Sequence, residues 1–229
     1  MAVLERTGIA MKLYIGNKNY SSWSMRPWVL LRQAGIPFEE VKIRFDAFTP
    51  ESAFKMELAR HTPAGRVPVL VDNDFAVWDT LAIAEYLHEI KPKAGLLPTE
   101  RAARAHCRAI CGEMHSGFSS LRSALPMNIK AHFPKYKVWS RAQGDIARIV
   151  EIWKECLATY GGPYLFGAHP CMADAMYAPV VTRFLTYDVA LDPVCGGYCK
   201  TIMALPAMKE WVAAAQLEPD EIDELEAEF

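Results

Sequence analysis

The segment Tyr20-Ser21-Ser22-Trp23-Ser24-Met25-Arg26-Pro27-Trp28 gathers three hydroxyls and an arginine at one point in the chain. It follows a short apolar run, Leu13-Tyr14-Ile15-Gly16, and precedes Val29, Leu30, Leu31 and Ala34, spaced as the buried stripe of a helix. A turn between a strand end and a helix start concentrates unpaired N–H groups and the positive end of the helix dipole. It therefore attracts an anion: a carboxylate, a phosphate or a thiolate. A serine there either caps the helix or donates its proton to the bound anion. Ser24 reads as the N-cap, which leaves Pro27 in the first turn, where a missing N–H costs nothing. Ser21 and Ser22 then stand ahead of the helix with no structural duty.

Two further places carry chemistry of the same kind. In Arg66-Val67-Pro68 a proline opens a β-rich run, which suits a strand edge or a cis turn. A cis bond would turn the Val67 N–H and C=O outward, towards a peptide-like ligand. Asp79-Thr80 heads the apolar-periodic stretch Thr80–Ile90, and both are ordinary capping residues. The same pair also suits an amino acid. Asp79 can meet an ammonium, and the Thr80 hydroxyl with the first-turn N–H groups can meet a carboxylate.

The elements that must hold these residues change character near residue 91. Before it, β-like and helical runs alternate in the order βαβα and then ββα, with Asp72-Asn73-Asp74 as a hairpin turn between Val67–Val71 and Phe75–Trp78. That order predicts a small mixed sheet with helices packed on it. Lys91-Pro92-Lys93-Ala94-Gly95-Leu96-Leu97-Pro98 reads as a linker. Beyond it strand signals vanish, and Ile146, Ile149, Val150, Trp153, Leu157 and Tyr160 form one apolar helix face. The organisation expected is 11–90 for the mixed domain, 91–99 for the linker and 100–217 for an all-helical domain. Flexible ends are expected at 1–10 and 218–229, with Met11 a plausible natural start. Trp28, Trp139, Trp153 and Trp211 read as packing residues.

Bulk properties exclude several classes. A net charge of −2 over 229 residues lacks the basic footprint of a nucleic-acid binder. No apolar run approaches the ~20 residues that span a bilayer, and no signal-peptide pattern opens the chain. The six cysteines form neither a zinc spacing nor a disulfide framework, so free thiols in a reducing cytoplasm and no metal are expected.

Taken together, the serine turn, the Val67-Pro68 pair and the Asp79-Thr80 pair resemble the glutathione transferase family, over Met11 to about Ala215. Cys171-Met172-Ala173-Asp174 resembles that family's capping box at a core helix, with Cys171 where Ser or Thr is usual. The resemblance implies a thioredoxin-like α/β N-terminal domain that binds glutathione and an all-α helical-bundle C-terminal domain. It further implies a homodimer. Ser21-Ser22 looks most like the serine-type branches, particularly the zeta class (maleylacetoacetate isomerase), with Trp23 in place of that class's cysteine.

By that resemblance Ser21 and Ser22 are the catalytic pair, with Ser21 favoured as donor to the glutathione thiolate. Trp23, Arg66, Val67, Pro68, Asp79 and Thr80 hold the tripeptide, and Arg66 or His61 replaces the Lys or His that the family carries where Gly65 stands. His115, Phe118, Arg122, Met127 and Asn128 face a small electrophilic second substrate. The leading expectation is a transferase acting on such electrophiles, in detoxification. A zeta-like cis-trans isomerase of an unsaturated diacid and a non-enzymatic binding or regulatory protein are the alternatives.

Overall fold

The computed structural model describes residues 11–46, 49 and 51–222. The N-terminal part holds β1 (Met11–Ile15), α1 (Ser22–Gln33), β2 (Glu39–Lys42), α2 (Ala53–Ala59), β3 (Val69–Asp72), β4 (Phe75–Trp78) and α3 (Thr80–Ile90). The strands form one sheet in the order β2-β1-β3-β4, with β1 and β2 parallel and the remaining pairs antiparallel. At the β3–β4 turn Asn73 takes φ +53°, a left-handed conformation that asparagine tolerates.

Alternation along the strands decides which side each residue serves. Leu13, Ile15 and Leu70 enter the large core shared with α1 and α3, whereas Tyr14 and Val69 point to the opposite face, where Phe54 and Leu58 of α2 cover them. This mixed sheet between helices is the thioredoxin-like arrangement expected.

The second part is helical throughout: α4 (Arg101–Ser116), α5 (Ser119–Ala124), α6 (Ser140–Tyr160), α7 (Met172–Thr186), α8 (Pro193–Ala204) and α9 (Pro206–Gln216). Every residue of α7 except Leu185 is buried, because this helix packs between α1 on one side and α4 on the other. Its start is fastened by Asp174. The carboxylate accepts from the backbone N–H of Cys171 (2.9 Å) and of Leu165 (3.1 Å) and from the Tyr198 hydroxyl (3.1 Å). Full burial pushes the Asp174 carboxyl above the usual carboxylate range, and the three donors pull against it.

Residues 91–99 are not a loose spacer. Leu96 and Leu97 are buried, and the Leu96 carbonyl accepts from the Met172 N–H (2.8 Å). The end expected to be loose from Glu218 is likewise held through Ile222, since Glu218, Asp220 and Ile222 are all buried against the first half of the chain. The expectations for 1–10 and 223–229 lie outside the described residues. Of the four tryptophans read as packing, Trp28, Trp153 and Trp211 are fully buried, but Trp139 lies on an open loop at 65% exposure. Among the described residues no helix is long and apolar enough to cross a membrane.

Candidate active site

Helix α1 begins one turn earlier than its sequence suggests. Ser21 is the N-cap, and its Oγ accepts from the Ser24 backbone N–H at 3.4 Å. Ser24 sits fully buried inside the first turn, and its hydroxyl has another partner: it accepts the Gly16 N–H (3.1 Å) at the end of β1. The Ser21 hydroxyl donates to Ser24 Oγ at 2.7 Å. Gly16 therefore leads, through Ser24, to Ser21, joining strand end to helix start. The assignment of Ser24 as the cap is corrected on this point. An amide at the strand end needed an acceptor, and Ser24 is the residue that reaches it. Pro27 consequently lies inside the helix.

Ser21 is partly exposed, whereas Ser22 is buried and accepts from Nη2 of Arg183 on α7 (3.2 Å). Across the turn lies Val67, joined to Pro68 by a cis peptide bond. A methyl group placed on Gly16 would lie 3.4 Å from Val67 Cγ2 and 3.5 Å from Ser21 Oγ, so these two side chains flank the same glycine.

Two cavities meet at this point. A cleft of ≈290 Å³ is lined by Trp23, Arg66, Val67, Pro68, Asp79, Thr80 and His115, so it gathers the expected ligand-holding residues together with one of the expected second-substrate residues. Asp79 has φ +77° and caps α3, its Oδ1 accepting from Leu81 N–H (2.8 Å) and Ala82 N–H (3.4 Å). Its other oxygen is 3.1 Å from His115 Nε2, and Nδ1 of the same ring lies 3.4 Å from Thr80 Oγ1. Thus His115 of α4 joins the helical half to the head of α3. The second cavity, ≈180 Å³, is lined by Ser21 and Val67 with Tyr20, Phe45, Phe54 and Ile222 among others.

Two guanidinium groups lie against the Trp23 ring, with Arg183 close enough to repel both. Arg26 lies 4.2 Å and Arg122 5.1 Å from the indole ring centre. Arg26 is 3% exposed, and its Nε and Nη1 have no hydrogen-bond partner. Burial first, then repulsion from Arg122 and Arg183, pushes Arg26 down to about 9 and, with Arg122 again contributing, Arg183 to about 10. Both remain cations at neutral pH, so the turn carries concentrated positive charge in a poorly solvated place.

None of the other expected second-substrate residues lines either cavity. Phe118, Met127 and Asn128 are buried: Phe118 and Met127 in the core, Asn128 accepting from Asn19 Nδ2 (2.9 Å). Arg122 Nη2 donates to the carbonyls of Met114, His115 and Gly117 at the end of α4. His61, a suggested carboxylate partner, instead lies against Tyr14 with the rings tilted (centroids 4.2 Å apart) and 3.6 Å from Glu57. Lys55 stands beside Gly65, its Nζ donating to Gly65 O at 2.6 Å. Arg183 was readable as the lone cation within the apolar stretch of α7, whereas nothing local pointed to Lys55 or Ile222. Among the described residues no group of three or more His, Cys, Asp or Glu is placed to hold a metal ion.

Residues 20–90 match the glutathione S-transferase N-terminal domain and residues 136–214 the glutathione S-transferase C-terminal domain. Maleylacetoacetate isomerase of Rattus norvegicus is 28% identical over 199 residues, covering 86% of this chain and 89% of that protein. Glutathione S-transferase 1 of Dianthus caryophyllus is 28% identical over 177 residues, covering 77% and 78%. Among solved structures, a glutathione transferase homolog from Burkholderia GL BGR1 with bound glutathione superposes with a TM-score of 0.66 at 24% identity, over 90% of this chain and 97% of that one. That likeness concerns the fold.

Proposed function

The chain belongs to the glutathione S-transferase family, and from that premise we propose that it is a glutathione-dependent transferase whose Ser21 stabilises the glutathione thiolate for attack on a small electrophile. One observation carries the reading: Val67-Pro68, Arg66, Asp79, Thr80 and Trp23 line a single cleft, and Ser21 adjoins it across Val67. The donor set fits a tripeptide. Asp79 receives the γ-glutamyl ammonium, and the Thr80 hydroxyl with the α3 N-terminus receives the neighbouring carboxylate. The Val67 backbone pairs with the cysteinyl peptide, while Arg66 and Lys55 supply cations for the glycine carboxylate.

When bound, glutathione supplies the sulfur nucleophile, whose free thiol has a pKa of ~8.5. The protein's part is to favour the ionised form. A hydrogen bond from Ser21, once Ser24 turns its own hydroxyl proton onto Ser21 Oγ, acts in the same direction as the α1 N-terminus and the Arg26, Arg122 and Arg183 charges, for a lowering of ~1–2 units. Ser21 itself forms no covalent bond. Titrating glutathione into the protein while following thiolate absorbance tests this, and absence of binding would sink it.

A second reading is a cis-trans isomerase of an unsaturated diacid. Similarity to proteins named maleylacetoacetate isomerase favours it. Turnover of maleyl compounds without net consumption of glutathione would select it. We also place the protein in the cytoplasm, where six buried unpaired thiols suit a reducing medium, and as a homodimer, with exposed Phe75 and Trp78 as candidate contacts.

A further inference from the structure

His115 reaches out of α4 into the cleft wall and stands between the two residues that head α3. Asp79 Oδ1 is committed to the Leu81 and Ala82 amides, so its second oxygen is the one left for a ligand, and His115 Nε2 already lies 3.1 Å from it. Thr80 is buried, and its Oγ1 lies 3.4 Å from Nδ1 of the same ring. The ring is fixed from two sides. It meets the Trp23 indole edge-on at 5.1 Å, and Arg122 Nη2 holds the His115 backbone carbonyl at 3.0 Å. Asp79 is the charged group that the ring touches. Of the other charges nearby, Arg26 and Arg122 pack on the Trp23 ring, Arg66 stands in the same cleft, and Glu113 of α4 is paired with Arg148.

A carboxylate only accepts, so Nε2 carries the hydrogen in the Asp79 contact. In the neutral ring Nδ1 is then a lone pair, and the single hydrogen of the Thr80 hydroxyl goes to it. That arrangement is closed to the ligand, because the γ-glutamyl carboxylate needs the same hydrogen. Were Thr80 to turn towards the carboxylate, its oxygen lone pairs would face the lone pair of Nδ1. A second hydrogen on the ring removes the conflict: Nδ1 donates to Thr80 Oγ1, and Thr80 donates onward. Charge points the same way. Asp79, the ammonium and the carboxylate together carry one negative charge, and an imidazolium neutralises it. We propose that His115 is a positioning residue that takes up one proton from solvent as the γ-glutamyl end binds, acting through Thr80 and Asp79 and never touching the sulfur. The inference rests on the glutathione reading of the cleft. Histidine suits the task, since it is the side chain whose charge ordinarily changes near neutral pH. The bound state holds the extra proton, so affinity is highest on the acid side and falls as pH rises.

S-methylglutathione tests this, because it has no thiol to ionise and any proton counted belongs to the protein. Calorimetric titrations in two buffers of different ionisation enthalpy give the number of protons taken up, between about pH 6 and 8. Wild type should take up about half to one proton at the maximum, with affinity falling up to about tenfold per pH unit there. In His115→Gln the amide can still donate to Asp79 and accept from Thr80, but it cannot gain a proton. Uptake should vanish in that variant. Its affinity should be flat with pH, about tenfold below wild type at the acid end and equal to it at the alkaline end. Binding without proton uptake in wild type, or the same uptake in His115→Gln, overturns the proposal. If His115→Gln does not fold, nitrogen NMR of wild type decides: ligand added at neutral pH should turn one neutral imidazole among the six histidines into an imidazolium, and six unchanged rings overturn the proposal. Wild type that binds no S-methylglutathione at any pH overturns the glutathione reading itself, a different outcome from binding without uptake.

Discussion

Replacing Ser21 by alanine removes two things whose sizes differ. The first is structural: Ser21 Oγ accepts the Ser24 N–H at a long 3.4 Å and is bonded to Ser24 Oγ at 2.7 Å, and Ser24 Oγ keeps its Gly16 partner after the change. Losing such a cap costs about 1 kcal/mol, or roughly 2–4 °C of Tm in a chain of this size. The second is a hydrogen bond to a charged sulfur, worth about 1.5–3 kcal/mol, which at ~1.36 kcal/mol per unit returns the bound thiol by ~1–2 units towards its free value. A thiol held near ~7 is half ionised at neutral pH, and near ~8.5 it is only a few per cent ionised. Ser22→Ala should behave in the opposite way. Its Oγ serves Arg183, so the loss leaves a buried guanidinium short of an acceptor at about 1–3 kcal/mol and leaves most of the thiolate in place. Difference absorbance of the bound thiolate against pH, alongside thermal melts, reads both effects. The reasoning is refuted if Ser22→Ala raises the thiol pKa as far as Ser21→Ala does.

Other expectations follow from the same geometry. Asp79→Asn keeps the α3 cap at a φ of +77° that asparagine accepts, yet loses the charge for an ammonium, so glutathione should bind about tenfold more weakly by calorimetry with Tm nearly unchanged. Arg66→Ala should weaken glutathione by about tenfold or less and leave its glycine ethyl ester unaffected; equal losses on both would remove Arg66 from the carboxylate. Asp174→Ala strands three buried donors and should cost at least 3 kcal/mol in urea unfolding. The raised Asp174 pKa means the native state holds this proton more tightly than the unfolded chain does. Its contribution is therefore present below the unfolded value of about 4 and is lost as pH rises through the native one, a slope that Asp174→Asn should flatten.

Much of the architecture was legible because local signals agreed with one another. A short apolar run marked β1 and a β-rich run β3, the Asn/Asp turn marked the hairpin, and Asp79 with Thr80 marked the head of α3. The Val67-Pro68 element was legible too, since proline at the start of a β-run has few other uses. Ser24 misled because three serines in four residues offer equally good caps, and the choice among them was made by an unpaired amide at Gly16, which no local pattern displays. The hold on Glu218 and Asp220 was illegible for a related reason. Acidic residues near a chain end read as solvated unless their partners are known, and those partners lie at Asn17, Lys18, Lys42 and Arg44. His115 looked like an ordinary helix residue, and only the meeting of α4 with α3 gives it Asp79 as a neighbour.

The burial of Glu218 against the first half of the chain also bears on when the site comes into being. The Lys18 and Asn19 amides lie 200 and 199 residues ahead of the carboxylate that receives them. As the chain is made, the sheet half emerges first, but its serine turn stays without that acceptor until Glu218 has left the ribosome. A nascent chain, or one clipped after α9, would carry every residue of the serine turn and still present it slack. Synthesis through Glu218, rather than of the sheet half alone, is what would arm it.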